Sequence, residues 1–218
     1  MPGRIRNLIS VSLPVALVLS CRGLPAAEFS AAFHSITSPD IKTHIDVLAD
    51  DSFEGREAGT RGGRAAGGYL VQRLEQLNLA PAGDGGSYYQ TLQGGLRNVL
   101  AVLEGSDPEL REEYVLVGAH YDHVGYGNRK NSYGPFGYVH NGADDNASGV
   151  AGVLEIAEAF SMLDERPARS ILFAFWDGEE KGLLGSKHWT AYPTRPLSQI
   201  AFAVNIDMIG RLRNEELN

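Results

Sequence analysis

A single cysteine, Cys21, is all that the 218 residues contain. No intrachain disulfide can form, even in an oxidising compartment. Positive charge is also sparse. Lysine and arginine number 19 against 27 aspartates and glutamates, for a formal net charge of −8. No basic stripe is visible, which argues against a nucleic-acid partner, since phosphate binding needs one. There is no internal repeat or low-complexity tract beyond the first 27 residues. The longest apolar run, Leu8 to Leu19, is broken by Ser10, Ser12 and Pro14 and falls short of the about 20 residues that a membrane span requires.

That run follows Arg4 and Arg6 and precedes the small residues Ser20, Ala26 and Ala27, the order of an export signal. Residues 1–27 are therefore expected to be a signal peptide. Cys21 stands directly after the apolar run in a loose likeness of a lipoprotein cleavage box, with cleavage after Ala27 as the competing reading. Membrane attachment is expected only through a lipidated Cys21, and the mature protein is expected to be exported (periplasmic, extracellular or lipid-anchored). Residues 28–218 fit one domain with a modest core.

The periodicity of that domain alternates. Ser38-Pro39-Asp40 has the form of a helix start, with Ile41, Ile45 and Leu48 on one face. A second helix is expected from about Thr60, carrying Tyr69, Leu70, Leu74 and Leu77, and ending by Asn78 ahead of Pro81 and the glycines at 83, 85 and 86. Strands are expected at Tyr88 to Leu92, Asn98 to Leu103, Tyr114 to Ala119, Ser170 to Trp176 and Ile200 to Ile206. The nearly continuous apolar character of the last three marks strands covered on both faces. Helices are expected at Ala151 to Leu163 and Leu183 to Ala191. The pattern is that of an α/β three-layer sandwich: a mostly parallel, mixed central sheet flanked by helices. Ligands gather at the carboxyl ends of strands in such sheets.

The acidic and imidazole side chains sit there. His120 ends a strand, with Asp122 two residues on. Asp144 lies in Gly142-Ala143-Asp144-Asp145-Asn146-Ala147-Ser148-Gly149, before a helix. Glu179 and Glu180 follow Trp176-Asp177-Gly178, and Asp207 ends Val204-Asn205-Ile206. A neutral imidazole is a good zinc ligand, and a nearby carboxylate can fix its tautomer. A carboxylate such as that of Asp144 can span two cations. Helix capping is an even alternative for Asp145 or Asn146. Of two adjacent loop glutamates, one can ligate while the other faces water as a general base. Asp207 at the end of an apolar strand is expected to be buried and to need a cation or strong donors.

Together these motifs resemble peptidase family M28, the co-catalytic zinc aminopeptidases. The similarity runs from about Asp51 to Gly210 and includes Phe53-Glu54-Gly55-Arg56-Glu57-Ala58-Gly59-Thr60, for which a structural role is expected. The resemblance implies a zinc exopeptidase-like fold, incomplete at its C-terminal end, and two Zn2+ ions. It implies His120 and Asp207 as terminal ligands of one zinc, Asp144 as the bridge and Glu180 on the second. It implies Glu179 as the general base, Asp122 as the carboxylate orienting His120, and a cis peptide at Asp144-Asp145. In the family the second zinc takes a histidine from well beyond the Asp207 motif, and here no histidine follows His188. The reading is an exopeptidase hydrolysing N-terminal peptide bonds of peptide or protein substrates. The alternatives are a catalytically silent M28-like ectodomain and a single-zinc acyltransferase resembling glutaminyl cyclases. Of the other histidines, His34 and His44 are expected on the surface of the N-terminal helices. His188 is a poor substitute ligand, and His123 and His140 are candidates for the substrate pocket or for supporting a ligand.

Overall fold

A computed structural model describes residues 26–132, 134–213 and 216–217, and side chains are described from Phe29 to Arg211. The expected signal at residues 1–27 therefore lies outside the described residues, apart from its last two. Those two open α1 (Ala26–Ser35), which runs across the expected boundary between residues 27 and 28. Among the described residues no helix is long and apolar enough to cross a membrane.

The local rules hold where they were strongest. Thr37 caps α2 (Ser38–Leu48), its hydroxyl accepting from the Asp40 amide, with Pro39 in the first turn. Thr60 caps α3 (Arg61–Gln76) in the same way through the Gly63 amide. Each cap satisfies a backbone donor that the helix itself leaves orphaned. After α3 come β1 (Ala80–Pro81), β2 (Tyr89–Thr91), β3 (Arg97–Leu103) and β4 (Tyr114–His120). Then follow α4 (Gly149–Ser161), β5 (Ser170–Trp176), α5 (Leu184–Ala191) and β6 (Ile200–Asn205).

The sheet order is β1-β3-β5-β4-β6, with β2 also paired to β3. β3 runs antiparallel to β5, whereas β5, β4 and β6 are mutually parallel. Alternation along the strands sends side chains to two faces. Val99, Ala101, Val117, Ala119, Ile171, Phe173 and Phe175 pack against Leu48, Leu70, Leu74, Val150 and Leu154 on one side. Leu100, Val102, Leu116, Leu172, Ala174 and Trp176 pack with Trp189 of α5 on the other. At roughly 1.5–3 kcal/mol for each large apolar side chain fully buried, these two clusters hold the sandwich together. The parallel register aligns His120 with Trp176 and Gly118 with Asn205. The three carboxyl ends, and the loops that leave them, therefore share one edge of the sheet.

Two expectations are corrected. β6 is not a buried strand: Phe202 is 63% and Val204 38% exposed. It pairs only with β4 among the described residues, so its apolar composition marks an edge rather than a covered centre. His44 is not on the surface. It lies one helical turn before Leu48 on the inward stripe of α2 and is 4% exposed. Its Nδ1 is 2.6 Å from the Tyr69 hydroxyl and its Nε2 3.3 Å from a buried Glu155 oxygen.

Burial, with Glu158 and Asp40 nearby, pushes the Glu155 carboxyl up to about 7. Burial pulls His44 down to about 4. The folded state thus prefers both groups neutral. Glu155's contribution to stability is complete below its unfolded value of about 4.5 and is lost as pH rises through about 7. That of His44 is complete above about 6.5 and is lost as pH falls towards about 4. Replacing Glu155 with Gln is expected to raise the melting temperature relative to wild type at pH 8, by at most about 3 kcal/mol of stability, and to change little at pH 5. Thermal melts at the two pH values check this, and equal shifts at both would refute it.

Candidate metal centre

The site is assembled from three loops and a helix start. β4 delivers His120, which is 2% exposed. Its Nδ1 lies 3.2 Å from the Asp122 carbonyl and 3.7 Å from the Asp122 carboxylate. Its Nε2 faces Asp145 Oδ1 at 3.3 Å and Asp207 Oδ1 at 3.5 Å. Three residues further on, His123 Nδ1 stands 2.8 Å from Glu180 Oε1 and 3.9 Å from Asp145 Oδ2. Asp145 thus presents one oxygen to each imidazole. The donor atoms of His120, Asp145 and Asp207 all lie within 4.8 Å of one another, and so do those of His123, Asp145 and Glu180.

Asp122 holds the glutamate loop in place. Its carboxylate, completely buried, accepts the Glu179 amide at 2.9 Å and the Glu180 amide at 3.3 Å. The expected partner of His120 therefore spends its oxygens chiefly on the next loop. Adjacent residues then diverge. Glu180 turns to His123, while Glu179 lines a cavity of about 510 Å³ together with His120 and Asp207.

Asp144 is the expected residue that the structure does not bring in. Its Oδ1 accepts the Gly210 amide at 2.9 Å and its Oδ2 faces Arg211 Nε at 2.8 Å. Successive side chains in this turn point to different sides, so one residue of register decides which aspartate looks inward. The non-proline cis peptide is likewise Asp145–Asn146 and not Asp144–Asp145. Asn146 is completely buried, and its Oδ1 accepts the amides of Gly149, the first residue of α4, and of Met208. Its Nδ2 donates to the Ile206 carbonyl, which ties the start of α4 to the loop carrying Asp207. Asp207 itself is 45% exposed and not buried, because it follows an edge strand. His140 is tied to its own loop, with Nε2 2.8 Å from the Pro135 carbonyl.

Sequence reasoning assigned no particular contacts to Arg56, whose signal was a lone charge beside a glycine in Phe53-Glu54-Gly55-Arg56. The guanidinium is fully buried. It donates to the carbonyls of Tyr121, Leu48, Asn141 and Gly142, and its own carbonyl accepts the His123 amide. Gly55 has a positive φ of 63°, and a Cβ there would meet the Gly125 and His140 carbonyls at 2.5 Å, so only glycine allows this close approach.

The charges ask for a cation. Burial pulls the His120 imidazole down, but the carboxylates of Asp122, Asp145 and Asp207 beside it outweigh that and carry it up to about 10. Burial raises the Glu179 and Asp207 carboxyls, with repulsion from neighbouring carboxylates added. Burial lowers Arg56 to about 10, against the pull of Asp122, Asp145 and Glu180, so it stays charged. Converging carboxylates with two imidazole nitrogens are a donor set suited to divalent zinc.

An imidazole and carboxylate centre on the parallel edge of an α/β sandwich defines the class, and the family model described as Peptidase family M28 matches residues 98–218. The chain belongs to that family. It is 30% identical to leupeptin-inactivating enzyme 1 of Streptomyces exfoliatus over 94% of this chain and 45% of that protein. It is 36% identical to a probable zinc metalloprotease of Pyrenophora teres f. teres over 56% of this chain and 24% of that protein. The chain thus spans less than half the length of these curated relatives. The Legionella pneumophila LapA aminopeptidase superposes with a TM-score of 0.61 at 21% identity, covering 84% of this chain and 46% of that one. Tannerella forsythia glutaminyl cyclase gives 0.60 at 23%, covering 80% and 62%. These two structures share the fold.

Replacing Arg56 with Met would strand four carbonyls. At roughly 1–3 kcal/mol for each buried group left unpaired, a loss of at least about 3 kcal/mol is expected, a drop in melting temperature of about 6–12 °C for a chain of this size. A melt within about 2 °C of wild type would show that Arg56 does not anchor the site.

Proposed function

We propose that this chain carries the catalytic centre of a zinc-dependent exopeptidase acting on peptide N-termini. The observation that carries the reading is the Asp145 carboxylate placed between two imidazoles, with Glu179 beside it on the cavity wall. His120, Asp145 and Asp207 would hold one zinc, and Glu180 would join Asp145 at a second. Bound there, the ions supply Lewis acidity toward the scissile carbonyl and toward water.

The protein's own groups do the rest. Donation from His120 Nδ1 to the Asp122 carbonyl keeps Nε2 free as a ligand. Asp122 fixes the Glu179-Glu180 backbone, so that the two carboxylates keep separate tasks. Glu179 takes the proton of the attacking water and passes it to the leaving amine. Burial supports this role, because it moves the carboxyl toward neutral pH, where a general base works best.

With Glu179 replaced by Gln, the protein is expected to keep wild-type zinc content while hydrolysis of aminoacyl anilides falls by roughly 10²–10⁴-fold. Asp145→Asn is expected to lose zinc as well, and Asp144→Asn to keep both zinc and turnover. Unchanged turnover in Glu179→Gln would remove it as the base. Cyclisation of glutaminyl peptides in place of anilide hydrolysis would favour the acyltransferase reading.

Export follows from the pattern of residues 1–27. An unmodified mature chain starting at Glu28 is the expected N-terminal mass. An acylated Cys21 would show a lipid anchor instead, and an intact Met1 start in the expressing cell would refute export.

A further inference from the structure

We infer that the cleft between α2, α3 and α4 is a binding site for a small α-amino acid, its ammonium held by Glu155 and its carboxylate by Arg73. The site stands apart from the metal centre, none of whose donors lines this cleft. Glu155 lies six residues into α4 from Gly149, about 9 Å along the axis at about 1.5 Å per residue.

The cleft encloses about 200 Å³ and is lined by Asp40 and His44 of α2, Tyr69 and Arg73 of α3, and Glu155 and Glu158 of α4. At about 30 Å³ for each water, it has room for several waters or for one small solute. Most of its groups are already engaged. The Tyr69 hydroxyl is 2.6 Å from His44 Nδ1, Asp40 accepts the Thr37 hydroxyl at 2.6 Å, and Glu158 faces a terminal nitrogen of Arg73 at 3.8 Å. Two atoms are not. Glu155 Oε1 and Arg73 Nε are both buried, and neither has a hydrogen-bond partner among the described residues.

Those two atoms are opposite in kind, an acceptor on an acid and a donor on a base. Glu155 is 3% exposed, and the imidazole beside it does not answer its charge. His44 Nε2 stands 3.3 Å from Oε1 without hydrogen-bonding to it, and burial keeps the ring uncharged at neutral pH. A buried carboxylate left unpaired is costly, and burial accordingly pushes this one up to about 7. A simple cation would answer Glu155 and leave Arg73 Nε unmet. A simple anion would answer Arg73 and meet three carboxylates. A metal ion is not matched either, because the donor clusters close enough to hold one, among the described residues, lie at the sheet edge. A solute that carries an ammonium and a carboxylate on one carbon satisfies both atoms, and the volume restricts it to a small side chain.

Isothermal calorimetry of the full chain with glycine and L-alanine tests this, with methylammonium and acetate as the two halves of the ligand. Saturable binding of the amino acids is expected, with each half at least roughly 10-fold weaker. Glu155→Gln and Arg73→Lys are each expected to weaken it by roughly 10–100-fold, the loss of one hydrogen bond to a charged group. The lysine keeps the positive charge and removes the Nε donor, and circular dichroism checks that both variants fold. Wild type stripped of zinc by a chelator is expected to bind the amino acids as tightly as before, which separates the cleft from the metal centre. No saturable binding by wild type would mean that water alone fills the cleft and would overturn the inference. Binding that survives Glu155→Gln, or that disappears with the zinc, would overturn it as well. Methylammonium binding as tightly as glycine would overturn the role of Arg73, and with it the amino acid as ligand. None of these results bears on the zinc peptidase reading.

Discussion

Four backbone carbonyls from three separate segments converge on one buried guanidinium, and the site depends on that convergence. Arg56 draws the end of α2, the turn after β4 and the Asn141-Gly142 loop to a single point. A buried charge without partners costs several kcal/mol, so the chain is held to the arrangement that satisfies it. That arrangement ties down the turn between His120 and His123 and brings in the turn that leads to Asp145. Its charge also offsets some of the repulsion among Asp122, Asp145 and Glu180.

Around this anchor the carboxylates divide their labour by what else they bond. Asp122 is spent on two backbone amides and so positions the glutamate loop. Asp144 is spent on Gly210 and Arg211. Asp145, Asp207 and Glu180 keep oxygens directed at imidazoles, and Glu179 faces the cavity. The same residue type thus serves as clamp, tether, ligand or base according to its neighbours. The parallel register of β5, β4 and β6 lets groups so far apart in sequence meet at one edge.

Much of the fold was legible because it is local. The helix starts at Ser38-Pro39-Asp40 and Thr60, the helical spacing of Leu70 and Leu74, and the apolar runs of β4 and β5 each follow from a period or a turn rule acting over a few residues. β6 was misjudged for the converse reason. Apolar composition does not distinguish a central strand from an edge strand, and pairing on one side only is a property of the sheet. His44 was misjudged because a polar side chain on a helix is placed outward by default, until buried partners such as Tyr69 and Glu155 are known.

The sequence by itself determined that imidazoles and carboxylates stand at the carboxyl ends of strands, and in which order. This follows because strand ends and turns are set by nearest neighbours along the chain. The tertiary structure alone decided that Asp145 and not Asp144 looks inward, that Asp122 grips the Glu179-Glu180 backbone, and that His123 shares Asp145 with His120. Each of these depends on a side chain's direction relative to a segment tens of residues away. In a turn, one residue of register is enough to reverse that direction.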